Sequence, residues 1–392
     1  MPIITPLSNE LESLRAIRHD LHANPELGLE EHRTADAIAR ELNRLEIPHH
    51  RGIGGTGIVG IIEGKSNRTG RTVGLRADMD ALPLQEMTGL AYQSQCGGKM
   101  HACGHDGHVT MLLAAARHLQ RTRDFDGRVF LIFQPGEEGC GGGKAMIDDG
   151  LFDRFPADKI FALHNWPGLP LGAVSIPEGP VMAAADRITI RIQGKGGHGG
   201  VAPHRTIDPV LVAGHMIVAI HSIVSRNIDP LESAAISMCA VQGGDPVGGF
   251  AVIPEEVTLV GTSRTLTIDV RAILHRRLEE VVSSVAATFG ATATLECEHV
   301  FPATVNSVEE ARFATTVARE LFGADCVAAA PRPSFGGEDF AFMLQKRPGA
   351  YIHLGSGTEV GLHNPHFDFN DDLLPIGGTL FAKLAENALP AE

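Results

Sequence analysis

The stretch Val129-Phe-Leu-Ile-Phe133, followed by Gln134-Pro-Gly-Glu137-Glu138, decides how the rest of the chain is interpreted. Five consecutive apolar residues bounded by turn residues are typical of a strand that is buried on both faces of a parallel sheet. The polar residues come directly after it, at the carboxyl end of the strand, where open α/β sheets bind their ligands. The stretch therefore predicts a buried strand that delivers two adjacent carboxylates to a site.

Similar apolar runs recur on both sides of this stretch. They cover residues 72–75, 160–163 and 173–176, with helical patterns between several of them. Two of these runs also end in polar clusters, Arg76-Ala-Asp78-Met-Asp80 and His164-Asn165-Trp166. Alternating strands and helices are typical of a layered α/β domain. We expect the polar clusters to fall where such a domain places its ligand site.

The stretch Met100-His-Ala-Cys103-Gly-His105-Asp-Gly-His108 holds three imidazoles, a thiol and a carboxylate. Imidazole and thiolate bind Zn²⁺-like ions at neutral pH, and the two glycines allow a tight turn between neighbouring ligands. A helical pattern starts at Val109, so the loop is predicted at a helix N-terminus, whose partial positive charge favours the thiolate form of Cys103. Taken alone, so short a motif also fits a surface loop with chance histidines.

Five candidate metal ligands occupy loops next to strands and helices: Cys103, His105, Glu138, His164 and His363. Chance placement would scatter such residues along helix faces instead. Glu137 precedes one of them, so one carboxylate can bind metal while its neighbour acts as general base, a role worth about 10²–10⁴ in rate. The competing interpretation, two solvated surface glutamates, is weakened by the apolar strand before them. Asp78 is a plausible acceptor for a ligand imidazole, and His101, His108 and His366 are assigned supporting or structural roles.

From Asp186 the pattern changes to strand, helix, strand, strand, helix, strand. The predicted elements cover residues 188–192, 209–224, 234–241, 257–264, 270–289 and 293–297. This order is the ferredoxin-like arrangement, and its small sheet would leave an edge strand free to pair with a second copy. We expect an inserted domain at residues 186–300, homodimerisation through it, and a catalytic domain made of residues 1–185 and 301–392.

The composition bounds the function. The 392 residues are 43% apolar and 20% charged, with a formal net charge of −14. This acidic balance argues against nucleic acid or an anionic membrane as a partner, because both require basic patches. No apolar run near 18 residues and no signal sequence are apparent, so a cytoplasmic location is the default. Six scattered cysteines favour free thiols over a disulfide framework.

Seven strings resemble the dinuclear metallo-amidohydrolases that include hippurate hydrolase, aminoacylases and auxin-conjugate hydrolases. They are LRADMDALP (75–83), KMHACGHDGHVTMLLAAA (99–116), FQPGEEG (133–139), ALHNWP (162–167), GKGGHGGVAPH (194–204), SFGGEDFAFM (334–343) and LHNPHFDFND (362–371). The resemblance implies that the five candidate ligands hold a pair of divalent ions. It also implies that Glu137 is the general base and then the proton donor, and that the inserted domain is a lid and dimer module.

In that lid, the resemblance assigns to His198 the role of a histidine that reaches the active site of the partner subunit. Relatives usually carry Asn just before the Val-Ile-Pro of the lid, whereas this chain has Ala251. Arg264 could pair bidentately with a substrate carboxylate, although a surface salt bridge explains it equally well. Gly336 and Gly337 would let a loop approach the substrate, or simply form a turn.

The sequence thus predicts a two-domain α/β metallohydrolase, with a layered α/β/α catalytic domain and a ferredoxin-like lid, that cleaves the amide bond of N-acyl amino acids. Thiolate and imidazole suit Zn²⁺, with Mn²⁺, Co²⁺ or Ni²⁺ as alternatives. The acyl group and the amino acid stay open. Three rivals remain: a dinuclear dipeptidase or carboxypeptidase, a cysteine hydrolase that uses Cys103, and a binding protein that merely holds metal.

Overall fold

The computed structural model describes residues 3–328 and 332–391, and the chain divides into two compact units. The larger unit comprises Met1–Val181, Thr304–Arg332 and Glu338–Glu392. The smaller unit comprises Met182–Ala303 and Pro333–Gly337. The smaller unit is therefore inserted into the sequence of the larger one, which the chain leaves and re-enters.

The larger unit alternates strands and helices along most of its length. Its helices are α1 (Thr5–Asn9), α2 (Leu11–Ala23), α3 (His32–Arg44), α4 (His105–Thr122), α5 (Gly142–Asp148), α6 (Leu151–Arg154), α9 (Val308–Phe322), α10 (Phe340–Leu344) and α11 (Leu373–Ala388), with a 3₁₀ turn at Ala324–Cys326. Its strands are β1 (His49–Ile53), β2 (Gly57–Glu63), β3 (Thr72–Asp78), β4 (Arg128–Gln134), β5 (Lys159–Trp166), β6 (Val174–Ser175), β7 (Gly179–Met182, which ends at the boundary), β14 (Thr304–Asn306) and β15 (Gly349–Gly355).

Seven of these strands form one mixed sheet in the order β1-β2-β4-β3-β5-β15-β6. The four central strands β4, β3, β5 and β15 are parallel, and the flanking pairs are antiparallel. In β4, Val129, Leu131 and Phe133 join the core formed with α4 and α11, while Phe130 points to the other face and contacts the Phe155 ring. A central strand buried on both faces explains its unbroken apolar run, and the predicted α/β class is confirmed.

The smaller unit has the predicted β-α-β-β-α-β order. Its main elements are β8 (Ala184–Gln193), α7 (Pro209–Asn227), β10 (Ala234–Gln242), β12 (Glu256–Thr265), α8 (Ile268–Thr288) and β13 (Thr292–Phe301), and its short ones are β9 (Gly197–His198), β11 (Val252–Ile253) and a 3₁₀ turn at Pro203–Arg205. The four long strands form an antiparallel sheet in the order β10-β12-β8-β13, so β10 and β13 are its edges. This is the ferredoxin-like strand order.

Helix α7 is long and apolar enough, by length and composition alone, to cross a membrane, although about a third of it is buried inside the protein. The expectation that no such run exists is therefore wrong as stated. The helix is amphipathic in its packing: Val212 and Met216 lie in the core against the sheet, whereas Val210 and Val218 are exposed. A long helix that buries one apolar face against a sheet can therefore have the same length and apolar composition as a membrane-spanning helix.

Candidate metal centre

The site lies at the carboxyl ends of the parallel strands of the larger unit. Asp78 ends β3, Gln134 ends β4 just before Glu137, and His164 lies near the end of β5. Helix α4 begins at His105, four residues earlier than the pattern predicted, because Gly104 adopts a left-handed φ of 94° and turns the chain into the helix. A Cβ at position 104 would lie 2.3 Å from Asn165 Oδ1, so only glycine fits there.

The five predicted ligands lie in one cluster. Cys103 Sγ is 3.4 Å from His164 Nε2. Glu138 Oε1 is 3.1 Å from His363 Nε2 and 3.9 Å from His105 Nε2. The ligand atoms of Cys103, Glu138 and His363 all lie within 4.8 Å of one another, as do those of His105, Glu137 and Glu138.

Two of the imidazoles are oriented as metal ligands. His105 Nδ1 is 3.2 Å from Asp80 Oδ1, and His164 Nδ1 is 2.8 Å from the carbonyl oxygen of Asn165. Because both partners are acceptors, each Nδ1 carries the proton and donates it, which leaves each Nε2 lone pair directed into the cluster. Metal-binding histidines almost always donate their other ring N–H in this way.

The charges of the cluster also suit a cation. Glu138 Oε1 and His105 Nε2 are buried and have no hydrogen-bond partner among the described residues. Burial alone would lower the pKa of His105, but Asp78, Asp80 and Glu138 outweigh it and raise the pKa to about 10. The nearby carboxylates thus favour a positive charge at His105. In the neutral ring, a metal cation at Nε2 would supply that charge in place of the proton. The donor set of one thiol, three imidazoles and one carboxylate fits divalent transition metals.

The pKa of the Cys103 thiol is shifted in the direction opposite to the one expected from its position at a helix N-terminus. Burial, followed by the charges of Glu138, Glu137 and Asp78, raises the pKa of Cys103 well above its usual value. The expectation that α4 alone favours the thiolate is therefore wrong, because its partial charge is outweighed by burial and by nearby carboxylates. Only an added cation would make this thiol a thiolate at neutral pH.

Glu137 is the buried carboxylate next to the cluster. Burial, followed by the charges of Glu338, Glu138 and Asp339, raises the pKa of Glu137 well above its usual value. One of its oxygens accepts the backbone N–H of Asp339 at 3.4 Å. A carboxyl group with a raised pKa holds a proton more strongly, which suits a group that must accept a proton and later return it, as a general base and acid does.

A guanidinium that the sequence did not single out holds this region together. Arg76, fully buried, donates to Asp78 at 2.7 Å, to Glu338 at 2.9 Å and to Asp339 at 3.2 Å. A buried charge is tolerated only when it is paired and hydrogen-bonded, and Arg76 meets both conditions. Arg76 belongs to the quoted cluster Arg76-Ala-Asp78-Met-Asp80 and lies in β3, which is buried at every position. A charged residue in so apolar a strand was the signal that could have identified it.

Of the supporting residues near the cluster, Asp78 differs from expectation and His108 agrees with it. Asp80, which lies two residues beyond the end of β3, and not Asp78 accepts the Nδ1 proton of the candidate ligand His105. Asp78 instead contacts His108 Nδ1 at 2.6 Å. The other ring nitrogen of His108 lies 2.6 Å from Asn165 Oδ1, so both of its nitrogens are occupied and it supports the site rather than ligating.

The remaining histidines divide by environment. His101 is buried without a hydrogen-bond partner among the described residues, and burial lowers its pKa to about 4. His366 is exposed. The candidate ligand His363, half exposed, has a left-handed φ of 59°. Such a conformation costs a non-glycine residue about 1–2 kcal/mol and is retained mainly where function demands it.

Four predicted residues lie in the smaller unit. His198 is exposed, and its Nδ1 accepts the backbone N–H groups of Gly200 at 3.1 Å and Val201 at 3.2 Å. Its Nε2 therefore carries the proton in the neutral ring. Its neighbour across the β9–β11 ladder is Val252, next to Ala251.

Arg264 donates to the carbonyl oxygens of Phe335 at 3.1 Å and Ser263 at 2.9 Å. It forms no ion pair with any residue in the part of the chain that the structure describes. The surface salt bridge considered above is therefore not observed there. Local packing favours glycine at Gly337, where a Cβ would lie 2.4 Å from the Phe301 ring. At Gly336 a Cβ would lie 2.7 Å from the terminal methyl of Met182, which can move aside.

Comparison with known proteins identifies the family. A model of peptidase family M20/M25/M40 matches residues 74–387, and the chain belongs to that family. It is 40% identical over 385 residues to hippurate hydrolase of Campylobacter jejuni, covering 98% of each chain. It is 38% identical to IAA-amino acid hydrolase ILR1-like 4 of Arabidopsis thaliana, covering 95% of this chain and 85% of that one.

A solved structure agrees with this family. The crystal structure of a dinuclear metal binding peptidase of the M20 family from Bacillus subtilis matches with a TM-score of 0.85 at 32% identity, covering 97% of this chain and 99% of that one. The resemblance inferred from the seven strings is thereby confirmed.

Proposed function

We propose that this protein is a metal-dependent amidohydrolase that cleaves the amide bond of N-acyl amino acids to a carboxylic acid and a free amino acid. The observation that carries the proposal is the buried Glu137 carboxyl beside a cluster of Cys103, Glu138 and His363, whose ligand atoms lie within 4.8 Å of one another. The names of relatives that cover nearly the whole chain, hippurate hydrolase and an IAA-amino acid hydrolase, support the substrate class.

In this proposal, Cys103, His105, Glu138, His164 and His363 hold two divalent ions. Bound divalent ions polarise a carbonyl and lower the pKa of water toward about 7. Glu137 accepts a proton from the attacking water and then donates it to the departing amine, a task suited to its raised pKa. Asp80 keeps His105 in the tautomer that presents Nε2, through a contact of 3.2 Å.

Turnover of a panel of N-acyl amino acids, measured after chelation and re-addition of single metals, tests this function. We expect hippurate or an N-acetyl amino acid to be hydrolysed, with activity lost on chelation and restored by Zn²⁺, Mn²⁺, Co²⁺ or Ni²⁺. Faster cleavage of Gly-Gly than of hippurate would favour the dipeptidase alternative. Activity that survives chelation but is lost on thiol alkylation would favour the cysteine hydrolase, and no turnover with bound metal would favour a binding protein.

We also propose that the smaller unit is a lid and dimerisation domain, as predicted for residues 186–300, and that His198 acts in the active site of the other subunit. Two observations support dimerisation: β10 is an edge strand, and α7 exposes Val210 and Val218. The tautomer of His198 supports its role, since Nδ1 accepts two backbone N–H groups and Nε2 carries a proton that an oxyanion can accept.

Subunit mixing tests the His198 proposal. His198→Ala and Glu137→Ala should each be nearly inactive, because one oxyanion donor is worth about 10²–10³ in kcat. When the two variants are unfolded and refolded together, half of the dimers are mixed, and each mixed dimer has one site with both residues. Recovery of about a quarter of wild-type activity supports action in trans. No recovery despite proven subunit exchange would contradict it.

Arg264 is proposed to bind the substrate carboxylate, with the loop at Gly336 and Gly337 beside it. Arg264 has no carboxylate partner among the described residues, and its guanidinium donates only to the carbonyl oxygens of Phe335 and Ser263 and to the Thr262 hydroxyl. A substrate carboxylate would replace some of these neutral contacts with a charged bidentate pair. Arg264→Lys should raise KM more than it lowers kcat, since Lys cannot reproduce the planar pair.

A cytoplasmic location is proposed because all six cysteines are free thiols, and cell fractionation checks it.

A further inference from the structure

The segment just before helix α3 contacts the loop that carries Glu137 and Glu138. Glu31 is fully buried, and its Oε1 accepts the backbone N–H of Gly136 at 2.7 Å. Its other oxygen accepts the hydroxyl of Thr56. A buried carboxylate thus reaches the residue that immediately precedes the proposed general base.

Glu31 does not serve its own helix. It occupies the N-cap position of α3, yet its side chain makes no capping hydrogen bond. The first N–H groups of α3 are capped instead by Glu26, which accepts Arg33 N at 3.0 Å and Thr34 N at 2.8 Å. Since the usual task of an acidic N-cap residue is done by another side chain, the orientation of Glu31 has a different cause.

The backbone around Glu31 is shaped for this contact. Leu29, although not a glycine, has a left-handed φ of 66°, and it is 41% exposed, so burial of its side chain does not explain the strain. A Cβ at Gly28 would lie 3.0 Å from Gly136 Cα, and a Cβ at Gly136 would lie 3.1 Å from the Leu29 side chain. The two segments therefore pack closely at Gly28 and Gly136, and the left-handed backbone of Leu29 is the local energetic cost.

The loop is held a second time on the other side of Glu137. The backbone N–H of Glu138 donates to Asp80 Oδ2 at 2.9 Å. Two carboxylates thus anchor the amides of residues 136 and 138, one on each side of Glu137. Glu31 has no ion-pair partner among the residues that the structure describes, and burial raises its pKa above the usual value, so the placement is unfavourable for the carboxylate itself.

We propose that Glu31 is a positioning residue for the reaction: it fixes the Gly136 amide and so aims the Glu137 carboxylate. This rests on the proposed function of Glu137. Glu31→Ala should lower kcat by about 10²-fold, the cost of a displacement near 1 Å, with little change in KM. Metal content should stay at the wild-type value, because Asp80 still anchors Glu138. Glu31→Gln, whose amide oxygen can accept the same N–H, should restore most of kcat.

Two controls separate positioning from general destabilisation. Glu30→Ala removes the neighbouring glutamate, whose side chain is 69% exposed, and should leave kcat unchanged. Ile38→Val and Ile38→Ala weaken α3 at a fully buried position seven residues after Glu31. The variant whose Tm falls by the same amount as that of Glu31→Ala serves as the matched control. A kcat loss in the matched Ile38 variant equal to that of Glu31→Ala would overturn the proposal, as would an unrescued Glu31→Gln.

Hydrogen exchange of the metal-free protein, followed by mass spectrometry, gives a readout that needs no substrate. Glu31→Ala should speed exchange in the peptide around residues 134–140 by about tenfold or more, since the Gly136 N–H loses its acceptor. The Ile38 variant should not. Unchanged exchange in Glu31→Ala would overturn the positioning role. Faster exchange in a protein that hydrolyses no acyl amino acid would leave the positioning contact standing and reject the proposed function instead.

Discussion

Two clusters built from similar residue types behave in opposite ways. In the smaller unit, Asp186 accepts hydrogen bonds from Arg271 at 2.6 Å, His275 at 2.9 Å, His299 at 3.0 Å and Ser263 at 3.2 Å. In the larger unit, the cluster of candidate ligands leaves Glu138 Oε1 and His105 Nε2 without a hydrogen-bond partner among the described residues. Acidic and imidazole groups gathered in one place are therefore not enough to define a metal site.

The difference lies in whether the protein itself satisfies the charges. Burial alone would raise the pKa of Asp186, but hydrogen bonds from His275, His299 and Arg271 hold it well below its usual value. The Asp186 cluster is thus complete as it stands. At the ligand cluster, the pKa values of Cys103 and Glu137 are raised instead, which is the response of groups that need a cation nearby.

The largest expected effect separates the two adjacent glutamates of the ligand cluster. Glu137→Gln should lower kcat by about 10²–10⁴ while metal content stays near the wild-type value, because the proposed general base is lost and the proposed ligands remain. Glu138→Gln should lose metal. Metal analysis beside steady-state kinetics checks both, with the exposed Glu298→Gln as control. Normal turnover in Glu137→Gln, or the opposite metal contents, would reject these assignments.

Metal binding should stabilise the protein only through the ligand cluster. At a free metal concentration 100 times Kd, the free energy of unfolding should rise by about 2.7 kcal/mol for each bound ion, provided that the unfolded chain does not bind metal. Asp186→Asn should keep this increment and Glu138→Gln should lose it. Denaturant titrations with chelator and with metal measure the difference. An increment that depends on Asp186 would mean that the complete cluster also binds the ion.

The smallest expected effect concerns the complete cluster. Asp186→Asn should lower the free energy of unfolding at pH 7 by about 1–2 kcal/mol, a modest loss because its partners are partly exposed to solvent. Since the folded pKa of Asp186 lies below its ordinary value of 3.8, its contribution is present above about pH 4 and is lost as the pH falls further.

Urea titrations of wild type and Asp186→Asn from pH 7 to pH 3 test this dependence. The stability difference between them should shrink as the pH falls below about 4, where the Asp186 carboxylate becomes protonated. A difference that stays the same or grows between pH 4 and pH 3 would show that the carboxylate is not stabilised in its ionised form.

The pattern of residues predicted much of the fold, and particular elements show why. The run Val129–Phe133 predicts a doubly buried strand, and β4 lies inside the sheet as expected. The order of elements from residue 188 to 297 predicts the ferredoxin-like sheet, because the periods of helix and strand differ and each element is long enough to display its own. Element ends were less accurate: α4 starts at His105 rather than Val109, since a left-handed glycine and not hydrophobic periodicity sets its first turn.

By itself, the sequence determined the class of the protein and the residues that meet at the site, because ligand-bearing loops follow buried strands and parallel strands end at one edge of a sheet. Only the tertiary structure decided which atoms pair. Asp80 rather than Asp78 accepts the Nδ1 proton of His105, both ring nitrogens of His108 are occupied, and the Cys103 thiol has a raised pKa rather than a lowered one. These outcomes depend on burial and on distances between segments far apart in the chain, and neither periodicity nor spacing encodes them.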